Sequence, residues 1–330
     1  MMRESMRRSE TMSRRTFCRS AVAAAVAVHW AKSSARAGET AKSVRFYRNL
    51  APGHIGVRAN QQQALDYAVK YGFEGITPNP GAFESKSAAE IREWVETMKA
   101  RGIRYGAAGL PVEFRRDEDR FRSDLARLPK TAGVMNQLGV TRVATWVMPG
   151  HNELTYLQNF KMLEQRFREV AKILKDNDLR LGLEFVGPRT SRSRFRFPFI
   201  CTQLDMMELA EAIGTGNVGL LLDAWHLYTS GGTMDDLDSI TAQDVVTVHV
   251  NDAPEGLTMD QYVDNDRRLP METEVIDLPG FMTKLAAMNY DGPITPEPFS
   301  ARVNAIEDPL EAAQLVASYM DKLWTASGLT

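Results

Sequence analysis

The chain has 330 residues, 44% of them hydrophobic, with 40 Lys/Arg against 42 Asp/Glu and two cysteines. That balance excludes the basic footprint of a nucleic-acid binder, and the cysteine count excludes a thiolate metal cluster. Length and apolar content suit one sizeable domain, and no low-complexity tract or linker divides it.

In chain order, the first recognisable element is a targeting segment. Ser13-Arg14-Arg15-Thr16-Phe17 is a twin-arginine pair, followed by the apolar stretch Ala21 to Trp30 and a small-residue exit at Ala35-Arg36-Ala37. Spanning a bilayer takes about 17–25 apolar residues, more than this stretch supplies. Residues 1–37 therefore read as a cleaved twin-arginine signal rather than a retained anchor. The expectation is export to the periplasm, with no membrane span left after cleavage. The signal holds eight basic and two acidic residues, so residues 38–330 carry 32 basic against 40 acidic, a net charge of −8. Such a surface repels polyphosphate. Cys18 falls in the signal and leaves Cys201 without an internal disulfide partner.

From there, short apolar or β-branched runs alternate with longer amphipathic stretches, the pattern of parallel βα units. The expected strands are 54–57, 75–77, 105–108, 142–147, 180–185, 218–223, 245–250 and 294–297. The expected helices are 61–71, 88–101, 124–138, 204–213, 278–288 and 309–324. A further helical stripe of Leu154, Leu157, Phe160, Leu163, Phe167, Val170 and Leu174 closes at Asp176-Asn177-Asp178. Eight runs is the count of a single-domain (β/α)8 TIM barrel spanning 38–330. An open doubly wound sheet would share the alternation, and the count alone favours closure.

Four of the later runs end on a residue able to bind a metal: Glu184 in LGLEFVG, Asp223 in VGLLLDAWH, His249 in VVTVHVND and Glu297 in PITPEPF. In a barrel, function belongs to the C-terminal strand ends and stability to the N-terminal ends. Taken singly, such residues are more often caps or satisfied core groups. At successive strand ends, however, three carboxylates and an imidazole surround one point, a site for one hard or borderline divalent cation. A carboxylate at the rim of an apolar barrel also needs a counter-charge, which a cation supplies.

From about His54 to the C-terminus the chain resembles the xylose-isomerase-like TIM-barrel superfamily, most closely its sugar phosphate isomerase/epimerase branch. Asp223-Ala224-Trp225-His226 matches a D-x-x-H motif and His249-Val250-Asn251-Asp252 an H-x-x-D motif. Asp264 to Pro270 precedes Val275-Ile276-Asp277, and Asn289-Tyr290-Asp291-Gly292-Pro293 leads into Glu297-Pro298-Phe299. The resemblance implies that Glu184, Asp223, His249 and Glu297 bind one divalent metal cation, Mn2+, Mg2+, Co2+ or Zn2+. It also implies a sugar isomerase or epimerase acting on a small ketose or keto-sugar.

Isomerising a sugar means removing a proton beside a carbonyl and returning it elsewhere. A divalent ion chelated by the carbonyl and the adjacent hydroxyl stabilises the cis-enediolate, and Glu184 and Glu297 are the expected acid/base pair. His226 is the expected contact to a substrate oxygen, with orientation of a metal ligand as its other role. Arg267, or Arg268 beside it, is expected to hold an oxyanion, and His151 is a further substrate-binding candidate. His54 reads as packed inside the barrel, and Trp146 and Trp225 read as core before sugar platforms.

Ketose 3-epimerases carry a glutamate and an arginine where this chain has Thr190 and Glu255, so those substrate contacts do not carry over. Met271 stands where an L-P-G-x-G loop has its first glycine, which puts that loop's conformation in question. A dehydratase of a keto-inositol or keto-sugar, expelling a β-hydroxyl at the same metal site, is the alternative enzyme. A catalytically silent exported carbohydrate-binding barrel is a third reading. Helical faces of such barrels commonly pair, and nothing in the sequence fixes an oligomeric state.

Overall fold

Residues 44–329 are described by the computed structural model, and the expected signal at 1–37 lies outside the described residues. Nine short strands form one parallel sheet: β1 (Tyr47–Leu50), β2 (Gly75–Ile76), β3 (Arg104–Tyr105), β4 (Ala108–Gly109), β5 (Arg142–Trp146), β7 (Arg180–Glu184), β9 (Val218–Asp223), β10 (Val245–Val250) and β11 (Pro293–Pro296). Their hydrogen-bonded order is β3-β2-β1-β11-β10-β9-β7-β5-β4. β3 and β4 stand at opposite ends of that order, yet only Gly106 and Ala107 part them in the chain. The sheet therefore closes on itself with eight staves, a TIM barrel and not an open sheet. At the bend, a Cβ on Gly106 would run into the Asn49 side chain, so the inward-facing amide requires glycine there.

The first stave differs from the expected one at 54–57. Tyr47–Leu50 is the strand, inconspicuous in sequence because Arg48 and Asn49 interrupt its apolar run. Pro52 instead opens a single 3-10 turn, Pro52–Ile55, which ends at Gly56 in the left-handed region with φ 73°. His54 is thereby moved from the barrel interior to the loop after the first strand, on the C-terminal face.

Helices cover the outside of the barrel, and their starts carry local signals. Capping boxes pair Asn60 with Gln63, Ser87 with Glu90 and Thr155 with Gln158. The helix Glu118–Gln137 starts earlier than expected, on an Asp117 cap, and runs through Pro129 while burying Leu128, Ala132 and Met135. The helix Tyr156–Lys175 buries Leu163, Phe167, Val170 and Leu174, each worth about 1.5–3 kcal/mol. Its first turn departs from the expected stripe, since Leu157 is 69% exposed. Loops after β5 and β7 meet in a small antiparallel ribbon of β6 (Gly150–His151) and β8 (Phe197–Pro198). Among the described residues, no helix is long and apolar enough to cross a membrane.

Candidate metal centre

Strand register brings the four singled-out residues to one level at the C-terminal mouth. His249 lies opposite Asp223 on one side and Thr295 on the other, and Glu184 opposite Trp146. Glu297 follows β11, its N–H donating to Val250 O at 3.0 Å. One ligand atom from each of Glu184, Asp223, His249 and Glu297 falls within 4.8 Å of the others. Atoms held 2.0–2.6 Å from one ion stand at most about 5.2 Å apart, so this spread suits a single cation.

Asp223 is fully buried and held from three directions. Its Oδ1 accepts from Trp225 N at 2.8 Å and from Asn251 Nδ2 at 3.0 Å, and its Oδ2 accepts from Arg267 Nη1 at 2.8 Å. Arg267, 1% exposed, uses the same Nη1 to reach Glu297 Oε2 at 2.9 Å. Its Nη2 and Nε donate to Asp264 Oδ1 and O at 2.8 and 2.9 Å. Trp225 and Phe299 flank the guanidinium, with ring centroids 5.4 and 4.7 Å away. Asp252 makes this insertion feasible: its carboxylate accepts the backbone N–H groups of Ala253, Thr273, Glu274 and Ile276. Backbone pairing of Asp252 with Arg268 completes the anchor.

Charge accounts for the departures from ordinary titration. Burial, then the negative charges of Glu297 and Asp223, push the Glu184 carboxyl well above the usual carboxylate range. Burial also disfavours the Glu297 carboxylate, but His249, His54 and Arg267 outweigh it and hold its carboxyl well below that range. Burial works against the His249 imidazolium, yet Glu297 overrides it and raises the imidazole. For His226 burial prevails and keeps the ring neutral.

The donor set fits a divalent cation. Glu184 Oε1 and His249 Nδ1 are buried without hydrogen-bond partners, 3.7 Å apart, and His249 Nδ1 is 3.3 Å from Glu297 Oε2. Orphaned buried polar atoms are rare because each costs about 1–3 kcal/mol. A divalent ion would also relieve the mutual repulsion among Glu184, Glu297 and Asp223 that disfavours the Glu184 carboxylate. Carboxylate oxygens with one imidazole suit zinc, manganese, cobalt or magnesium.

Residues 65–323 match the model of the xylose isomerase-like TIM barrel family. The chain belongs to that family. Among relatives of this xylose isomerase-like barrel, inosose isomerase of Bacillus velezensis is 22% identical over 247 residues, 73% of this chain and 84% of that one. A xylose isomerase domain protein from Alicyclobacillus acidocaldarius superposes with a TM-score of 0.74 at 28% identity, covering 86% of this chain and 99% of the other. The IOLI protein, solved with a zinc atom, superposes with a TM-score of 0.69 at 19% identity, over 84% of this chain and 98% of the other. This member of the xylose isomerase-like family is an enzyme of the isomerase/epimerase type.

The remaining expected residues divide around the mouth of this xylose isomerase-like barrel. His226 is buried beside the cluster, its Nδ1 accepting from Gly187 N at 3.1 Å. Its Nε2 lies 4.0 Å from Glu184 Oε2 and 3.2 Å from Arg267 Nη2, which can only donate. Of the two arginines, Arg267 joins the site while Arg268 turns to Asp266 at 2.7 Å. The donors of Arg267 rest on carboxylates, in place of the oxyanion expected for it. His151 stands apart from the cluster: its Nδ1 accepts from Glu153 N and Leu154 N, shaping the turn into Tyr156–Lys175. Thr190 ties two loops together, Oγ1 donating to Tyr262 O at 2.6 Å, beside an Arg189–Asp260 ion pair at 2.6 Å. Glu255 is exposed. Met271 and Glu274 adopt φ 62° and 58°, the left-handed conformation without glycine.

Sequence reasoning missed four contributors. His54 lies at the mouth with Nδ1 3.4 Å from Glu297 Oε1, contrary to its expected interior place. Trp146 is 44% exposed at the lip, with the Arg115 guanidinium 4.2 Å from its ring centroid, whereas Trp225 is core as expected. Asn251 and Asp252 sat inside a quoted motif, but their roles depend on partners far along the chain.

Proposed function

We propose that the chain is an exported, single-metal sugar isomerase or epimerase that moves a proton beside the carbonyl of a small ketose or keto-sugar. The observation that carries this reading is the convergence of Glu184, Asp223, His249 and Glu297 next to a chamber of about 170 Å3. Those four residues would hold a divalent cation, which supplies Lewis-acid polarisation of a carbonyl and its neighbouring hydroxyl. The inosose isomerase relative supports the substrate class, and the zinc in the IOLI protein supports the cofactor.

Glu184 and Glu297 act as the acid/base pair. They come from well-separated strands, so one can take the proton from carbon while the other returns it, and the reverse reaction exchanges the roles. His226, buried beside Glu184 and Arg267, contacts a substrate oxygen and so fixes which carbon faces the carboxylates.

The test is incubation of the metal-loaded protein with keto-sugars in deuterated water, followed by NMR. Deuterium gain at the carbon beside the carbonyl is expected, and Glu184→Gln and Glu297→Gln should each lower it about 10²–10⁴-fold. Exchange that survives in both variants would sink the assignment, and loss of water from the sugar would replace it with a lyase. Export rests on the twin-arginine segment; a mature periplasmic chain beginning at Gly38 is expected, and a cytoplasmic chain retaining Arg14 and Arg15 would end that part.

A further inference from the structure

TIM-barrel interiors are normally filled by layers of branched apolar side chains. Beneath the carboxylates, this one is built mainly from Asn49, Thr77, Ala108, Ala144, Thr247 and Thr295, and the small side chains leave the chamber of about 170 Å3. Open to solvent at Trp146, it is of a size to take one end of a small sugar.

Hydrogen-bond direction determines what the floor can offer. Asn49, 1% exposed, donates its two amide protons to Thr77 Oγ1 at 3.1 Å and Thr295 Oγ1 at 3.0 Å. Both hydroxyls therefore accept from below and have their own protons to give. Thr247 lines the chamber, is 1% exposed, and its Oγ1 has no hydrogen-bond partner. The floor carries no charge. Among the described residues, no lysine or arginine lines the chamber: Arg267 is engaged by Asp223, Glu297 and Asp264, and Arg115, at the lip, donates to Thr145 Oγ1 and Trp146 O.

We propose that this floor is a subsite for the neutral, hydroxyl-bearing end of one monosaccharide-sized polyol, that Thr247 selects it, and that phosphorylated sugars are excluded. The proposal rests on the sugar-handling reading above but is independent of its proton-transfer step.

Thr247→Val keeps the side-chain shape and removes the hydroxyl. The Mn2+-loaded full chain is titrated calorimetrically with D-fructose, D-tagatose and D-fructose 6-phosphate. A neutral ketose is expected to bind, its phosphate at least tenfold more weakly. Thr247→Val should weaken the ketose about tenfold, the effect of one lost hydrogen bond, with the Mn2+ titration unchanged. The ligand-free thermal midpoint should stay level or rise, because an unsatisfied buried hydroxyl has gone; a purely structural threonine would lower it. Unchanged ketose affinity in Thr247→Val, phosphate binding as tight as the neutral sugar, or no neutral ketose bound would each overturn the proposal. Ketose binding that depends on Thr247 without deuterium exchange keeps the subsite and removes the isomerase reading. Exchange with unaltered rate and KM in Thr247→Val does the opposite.

Discussion

The two halves of the barrel line the same chamber in opposite ways. His54, Thr77, Ala107, Ala144, Thr145 and Trp146, from the β1–β5 side, are wholly or partly open to solvent. Glu184, Leu221, Thr247, His249, Thr295 and Glu297, from β7 to β11, are buried. Charge is confined to the buried half, where it must be braced because each desolvated carboxylate needs fixed partners. Asn251, Asp252 and Arg267 are those braces. The open half has little charge to stabilise and supplies shape and access.

The largest effect should come from removing a brace. Asp252→Ala leaves four backbone N–H groups without their acceptor, an expected loss of about 3–5 kcal/mol in urea denaturation, as for other broken buried networks; a loss below about 1 kcal/mol would contradict the bracing argument. Next, Arg267→Met strands Asp223 and Glu297, and should cost the metal-free protein about 3 kcal/mol or more. Mn2+ should restore most of that, so chelation with EDTA lowers the thermal midpoint further in the variant than in the parent. If the open half supplies only shape, Ala144→Leu fills the chamber, and ketose binding should fall at least about tenfold with Mn2+ affinity intact; a parallel loss of metal would join the two halves energetically.

Acid titration probes the rim of the open half. Burial would raise the Asp124 carboxyl, but the Glu113 N–H with Arg120 and Arg127 outweighs it and lowers the carboxyl. A depressed folded value means that the stabilisation is complete above the unfolded value of about 3.9 and is lost as pH falls through the folded one. Asp124→Asn should therefore cost about 1 kcal/mol at pH 7, and its stability should converge with the parent's below about pH 4. The smallest change is Met271→Gly, which removes a left-handed non-glycine residue at φ 62°; a gain of at most about 1 kcal/mol is expected, offset in part by added freedom in the unfolded chain.

The buried half was legible in sequence because an acid or histidine ending an apolar run is conspicuous. Glu184, Asp223, His249 and Glu297 all stand out that way, and the parallel βα alternation supplied the topology that gathers them. The open half was not. Asn49, Thr77 and Ala144 look like any small or polar residues until closure of the barrel faces them inward, and Arg48 and Asn49 disguise β1 altogether. That error carried His54 to the wrong side of the strand ends. Asp252 was quoted within a motif, yet its function needs the chain's return at 273–276, a contact no local pattern encodes. Arg267 was singled out, but its partners are set by the same return.

The cross-ties between the loops after β7 and β10, Thr190 to Tyr262 and Arg189 to Asp260, roof the charged half. On the other side of the mouth, His54 and Trp146 stay open to solvent. A sugar that enters there trails any further group back over the tryptophan ring, so the approach itself sets which end of the molecule meets the carboxylates.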